Sequence, residues 1–88
     1  MSVSFYADAE VATLEANYSN LNAGRVLEAM GFLADTDFSD ACVGECSAVE
    51  FEKRCYAGLG NGLDAMRFVQ LVGVAREAKA LGVPVIWG

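Results

Sequence analysis

Apolar and polar residues alternate at the start of the chain, where Val3 and Phe5 follow Ser2 and Ser4, and this two-residue period predicts a strand. Asp8–Glu10 reads as a turn and Val11–Asn17 as a second strand, although Ala12, Leu14, Glu15 and Ala16 also suit a helix. The period then lengthens. Ser19 or Asn20 can cap a helix whose apolar positions Leu21, Val26, Leu27 and Met30 recur at helical spacing, with Gly31 as its left-handed stop and Phe32 and Leu33 folding back on its last turn. Residues 34–46 read as a loop carrying Asp35, Asp37 and Asp40.

Ser47-Ala-Val-Glu50 is a capping box, in which the serine hydroxyl accepts from the Glu50 amide and the glutamate side chain reaches back. It predicts a helix ending at Ala57, with Gly58 as its stop and Gly60-Asn61-Gly62 as the turn that follows. A third helix over Leu63–Leu81 is closed by Gly82 and Pro84. Its line Leu63, Met66, Val69, Val72 and Ala75 is widened by Phe68, Leu71 and Val74, the pattern of a central helix or of an oligomer interface. Val83–Trp87 predicts a last strand that starts at Pro84 or lies at an edge, since proline cannot donate to a ladder. The expected fold is α+β: one domain over residues 1–88, with three helices on a two- to three-stranded sheet formed by the N- and C-terminal strands.

The chain is 55% hydrophobic and its mean hydropathy is +0.32, too apolar for disorder and rich for 88 residues, so a dense core or a self-association face is expected. The net charge of −6 is unevenly spread. Residues 1–50 hold nine acids against Arg25 alone, while residues 51–88 hold three acids and five bases. Direct nucleic-acid binding needs a basic face and is disfavoured; an acidic face suits a basic protein partner or plain solubility. No apolar run approaches a membrane span, the first residues lack the basic start of a signal peptide, and three cysteines fit a reducing compartment, so a cytoplasmic location is expected.

Histidine is absent, which removes the commonest general base and zinc ligand. Gly58-Leu-Gly60-Asn-Gly62 precedes a helix but matches neither phosphate-binding fingerprint, and a helix–helix turn explains it. Cys42, Cys46 and Cys55 form one spaced pair and a stray, better read as packed thiols than as zinc ligands. Asp35-x-Asp37-x-x-Asp40 lacks the glycine and distal glutamate of a calcium loop. No cofactor, metal or catalytic set is therefore expected. Regularly spaced carboxylates can instead occupy a Lys/Arg groove that normally holds phosphates, which makes Asp35, Asp37, Asp40 and Glu45 the candidate partner-binding residues. Trp87 and Tyr56 are candidate interface anchors, core packing being the plainer role for Trp87.

The stretch Asn17-Tyr-Ser-Asn-Leu-Asn-Ala23, followed by Val26-Leu27-x-x-Met30-Gly31, is similar to small uncharacterised proteins of phages and prophage-like regions. Arg67, Leu71 and Ala75 match their late helix, and Gly82–Trp87 matches their Gly-x-x-Val-x-Trp ending. The resemblance implies an accessory protein of a mobile element, a class that includes anti-CRISPR inhibitors of host defence, and it carries no active site. The leading expectation is a non-enzymatic inhibitor bound to a basic, nucleic-acid-binding surface of a defence complex such as CRISPR-Cas. The alternative is a homo-oligomeric scaffold or small-ligand sponge that pairs through the third helix.

Overall fold

The structure, a computed structural model, describes residues 2–33 and 37–88. Its elements run β1 (Ser2–Ala7), β2 (Glu15–Ser19), α1 (Asn20–Ala29), α2 (Phe38–Ala41), β3 (Gly44–Cys46), α3 (Ala48–Leu59), α4 (Ala65–Leu81) and β4 (Val85–Trp87). The class is α+β, with four helices and one antiparallel sheet of order β2-β1-β4-β3. The first and last strands pair as expected, Phe5 opposite Trp87 and Ala7 opposite Val85. The sheet nevertheless has a strand, and the helical set a member, that the expected fold lacked. Both α2 and β3 lie in the stretch read as loop.

Alternation decides which way the sheet faces. Val3, Phe5 and Ala7 of β1, Ala16 and Tyr18 of β2, and Val85 and Trp87 of β4 are buried, and the residues between them are not. Onto this inner face α1 brings Ala23, Val26 and Leu27, α3 brings Phe51 and Cys55, and α4 brings Leu71, Val72, Val74, Ala75 and Ala78. Trp87 stands at the middle of the core. Its ring centroid lies 5.5 Å from Phe5, 5.0 Å from Phe32 and 5.9 Å from Phe51, and its Nε1 donates to the Ala41 carbonyl at 2.8 Å. Core packing is thus its role, as the plainer reading held, and it is not a surface anchor.

The same ring explains β3. Gly44 lies opposite Trp87 in the ladder, and a Cβ on Gly44 would stand 2.4 Å from the indole. Only glycine lets β3 close on β4. Pro84 precedes β4 and contributes its carbonyl to the Asp8 amide, so the strand begins just after it and runs in the interior of the sheet.

Three boundaries and one cap differ from expectation for identifiable reasons. The second strand is Glu15–Ser19 rather than Val11–Asn17, because the amides of Thr13 and Leu14 leave the ladder and donate to Glu77 at 3.0–3.1 Å. Ser47 caps α3 by accepting from the Glu50 amide, but the reciprocal half of the box does not form: the Glu50 carboxylate pairs with Arg54 at 3.2 Å. α3 continues past Gly58, a buried glycine against which Leu63 packs so closely that an added Cβ would lie 3.0 Å from Leu63 Cδ2. α4 starts at Ala65, since Asp64 accepts from the Arg67 amide and the Leu63 amide turns back to Gly58. Gly31 at φ 82° and Gly82 at φ 69° end α1 and α4 as read, each followed by an amide that reaches back five residues.

α4 is not buried all round. Its line splits: Leu63, Val72 and Ala75 are buried, whereas Met66 is 73% and Val69 64% exposed. The polar edge that remains is occupied within the fold. Gln70 accepts from the Tyr18 hydroxyl at 2.7 Å, Arg76 and Lys79 pair with Glu52, and Glu77 holds the β1–β2 connection through Thr13 and Leu14.

Two glycines are expected to respond in opposite directions. Gly44→Ala forces the Trp87 ring to shift and should cost about 1–3 kcal/mol. Gly73 lies inside α4, where a Cβ meets only Leu14 Cδ1 at an ordinary 3.7 Å. Gly73→Ala should therefore stabilise by about 0.5–1 kcal/mol. Urea unfolding midpoints measure both, and equal effects would contradict the packing at Gly44.

Glu77 gives a pH signature. Its bonds from the Thr13 hydroxyl and from the Thr13 and Leu14 amides hold its carboxyl below the usual glutamate range. The stability it contributes is complete above the unfolded-state value near about 4.3 and is lost as pH falls through the lower folded value. Glu77→Ala should lower the urea midpoint at pH 7 and converge with the parent chain as pH falls through the lowered folded-state range of the carboxyl; a pH-independent gap would show that the carboxylate form does not hold the connection.

Candidate functional site

Among the described residues, the alternation that fills the core leaves the other sheet face exposed to half-buried, with the helices on the opposite side. Ser2, Ser4 and Tyr6 of β1, Glu15, Asn17 and Ser19 of β2, Glu45 of β3 and Ile86 of β4 point to that side. Register arranges them in rows. Glu15 is opposite Tyr6, Tyr6 opposite Ile86, and Ile86 opposite Glu45, so a carboxylate on each outer strand flanks an aromatic and an aliphatic side chain. In the neighbouring row Asn17 is opposite Ser4, and Asn17 Nδ2 donates to Ser4 Oγ at 2.8 Å and to Ser2 Oγ at 3.2 Å. Val43, 70% exposed, lies beside Gly88, where an added Cβ would meet it at 3.7 Å.

The acids singled out from the sequence do not form one comb. Asp35 lies outside the described residues. Asp37 is the N-cap of α2 but makes no side-chain cap bond, and Asp40 lies on the same short helix; both are exposed. Glu45 stands on β3 in the row just described. None of these three makes an ion pair among the described residues, and Glu15 does not either. Four of the six bases are paired internally: Arg54 with Glu50, Arg67 with Asp64, and Arg76 and Lys79 with Glu52. Sequence reasoning missed Glu15 because its partners across the sheet, Tyr6, Ile86 and Glu45, are set by a register that no local pattern reveals.

The thiols stay within the packing. Burial pushes Cys55 up to about 12 and raises Cys46, while Cys42 Sγ donates to the Ser39 carbonyl at 3.3 Å. Among the described residues no three Cys, Asp or Glu converge on a metal position. Burial likewise pushes Tyr18 up to about 12 against the opposing influence of Arg67, so its phenol remains a donor to Gln70.

A cleft of about 560 Å³ between α1 and the α3–α4 turn is lined by Arg25, Glu28, Asn61, Gly62 and Arg67. It is not an anion seat of any strength. Arg67 is held by Asp64 at 3.5 Å and lies over the Tyr18 ring at 5.8 Å, and Arg25 shares the wall with Glu28. Asn61, from the glycine-rich turn, donates to the Ala29 carbonyl at 3.3 Å, and the amides of Asn61 and Leu63 both close on Gly58, which is helix–helix turn chemistry.

Among the described residues no helix is long and apolar enough to cross a membrane. What the surface supplies is unpaired carboxylates beside modest apolar area, the chemistry of contact with a cationic, partly apolar partner. Comparison with protein-family models, with curated proteins and with solved structures finds no match in any of the three.

Proposed function

We propose that this chain is a small acidic binding protein that occupies a basic, nucleic-acid-binding surface of a protein partner and acts by stoichiometric occlusion, without a catalytic step. One observation carries the reading: most of the bases are consumed in internal ion pairs, while Asp37, Asp40 and Glu45 stand exposed without one among the described residues. The negative field is therefore available to a partner instead of being neutralised within the fold. Such a field accelerates encounter with a cationic surface and repels phosphate-bearing competitors. The likeness to phage and prophage accessory proteins adds the class of partner, a host defence complex such as CRISPR-Cas.

A second reading rests on α4. Met66 and Val69 are the outward apolar residues of its first turns, and Leu14, 46% exposed, lies beside Gly73 one turn further on. A second copy that covers this strip would give a homodimer, the form expected of a scaffold or sponge.

Two measurements separate the readings. Partners retained from nuclease-treated host lysate are identified, and affinity for the retained complex is measured with Asp37→Lys/Asp40→Lys. The first reading expects a loss of about tenfold or more, worth about 1.4 kcal/mol, with a shallower salt dependence. Unchanged affinity removes those acids from the interface. Light scattering at low micromolar concentration tests the second: a dimer that Met66→Lys/Val69→Lys dissociates supports it, and a monomer ends it.

A further inference from the structure

We propose that the uncovered sheet face is itself a docking surface, and that its occupant is a basic protein segment carrying an apolar side chain between two Lys or Arg residues. The proposal rests on the binding-protein reading above and names the surface and the partner chemistry. The row Glu15–Tyr6–Ile86–Glu45 crosses all four strands, with its apolar members in the middle and its carboxylates on the two outer strands. Interfaces favour this order, apolar at the centre and charged at the rim, where ion pairs keep partial hydration.

The dimensions select the segment. Neighbouring strands lie about 4.8 Å apart, so the Glu15 and Glu45 backbones stand about 14 Å apart across three spacings. An extended chain rises about 3.3 Å per residue, so two bases four positions apart span about 13 Å and bring both charges over the carboxylates. The central side chain of that segment then falls on Tyr6 and Ile86, and the aliphatic stem of either base can lie along the Tyr6 ring. In the adjacent row the bonds from Asn17 Nδ2 orient the Ser2 and Ser4 hydroxyls and leave them free to donate to the segment's carbonyls.

Charge also decides against the other occupants. A nucleic acid or an anionic membrane would bring phosphate against Glu15 and Glu45, which bear no internal cation among the described residues. A second copy would set the same two carboxylates against their equivalents.

The test is a ¹⁵N-amide titration of the full chain with the blocked pentapeptide Lys-Thr-Leu-Thr-Lys, alongside Glu-Thr-Leu-Thr-Glu, Lys-Thr-Ser-Thr-Lys and a single-stranded oligonucleotide. The expected result is saturable shifts at Tyr6, Glu15, Glu45 and Ile86 with a Kd of about 1 mM or tighter. Glu15→Gln/Glu45→Gln should weaken that binding about fivefold or more, while Glu28→Gln, an exposed position on α1, leaves it within about twofold. The acidic peptide should not bind, and the serine-centred one should bind more weakly. Shifts confined to α2 would overturn this surface and leave the acidic binding reading standing; no saturable shift anywhere would count against both. Equal binding of the acidic peptide, oligonucleotide shifts on this face, or dilution-dependent shifts there in the free protein would each replace the proposed occupant.

Discussion

The indole of Trp87 is the contact on which the fold depends. It belongs to the last strand, yet it touches residues spread over positions 5 to 51: Phe5 on β1, Phe32 after α1, the Ala41 carbonyl at the end of α2, Gly44 on β3 and Phe51 on α3. Its one polar atom is satisfied by Ala41, so the ring can be buried without an unpaired donor. That single bond also fixes where α2 ends relative to the sheet, and hence where the chain re-enters as β3. Until β4 is in place the core lacks its middle and β3 lacks a partner, so long-range closure, rather than local helix formation, completes this molecule.

A second set of polar contacts ties the elements around that centre. Arg54 donates to the Met30 carbonyl at 3.2 Å, lies over the Phe32 ring at 4.4 Å and pairs with Glu50, so one guanidinium complements the C-terminal end of α1 and seats an aromatic of the core. Glu77 does the equivalent for the other side by gathering the amides that β2 releases. Exposed pairs of this kind contribute little each. Their effect is mainly geometric, because they determine which backbone groups join the ladder and which side chains can therefore face outward.

What the chain made legible follows from the range of the forces involved. The caps at Ser19 and Ser47 and the glycine stops at Gly31 and Gly82 are local, and each was readable from a few neighbouring residues. β1, α1, α3, α4 and β4 followed, with ends displaced by one or two residues. β3 was not readable: Gly-Glu-Cys has no strand propensity, and it becomes a strand only because Trp87 tolerates nothing larger than glycine opposite it. The shift of β2 from Val11–Asn17 to Glu15–Ser19 was hidden for a similar reason, since Thr13 and Leu14 answer to Glu77, more than sixty residues away. The all-round apolar pattern of α4 overstated its burial, as composition cannot tell which of two apolar lines meets the sheet. Of the candidate acids, exposure was legible but convergence was not, and Glu15 acquired meaning only through register.

These constraints combine on the open face. A sheet whose centre is the pair β1–β4 must place Tyr6 and Ile86 side by side, and strands only three to six residues long leave few positions around them. Edge strands exposed to solvent need charge to discourage uncontrolled pairing, and Glu15 and Glu45 meet that need. Protection of the edges is thus sufficient to explain either carboxylate alone. It does not require that both fall in the same row, nor that the row between them be apolar, nor that neither has an ion pair among the described residues. Ion pairing elsewhere takes up Glu50, Glu52 and Asp64, whereas Glu15 and Glu45 on the sheet, like Asp37 and Asp40 on α2, have no ion pair among the described residues. Two carboxylates without an ion pair among the described residues, set on either side of the adjacent Tyr6 and Ile86, are the arrangement that the proposed cationic segment would read.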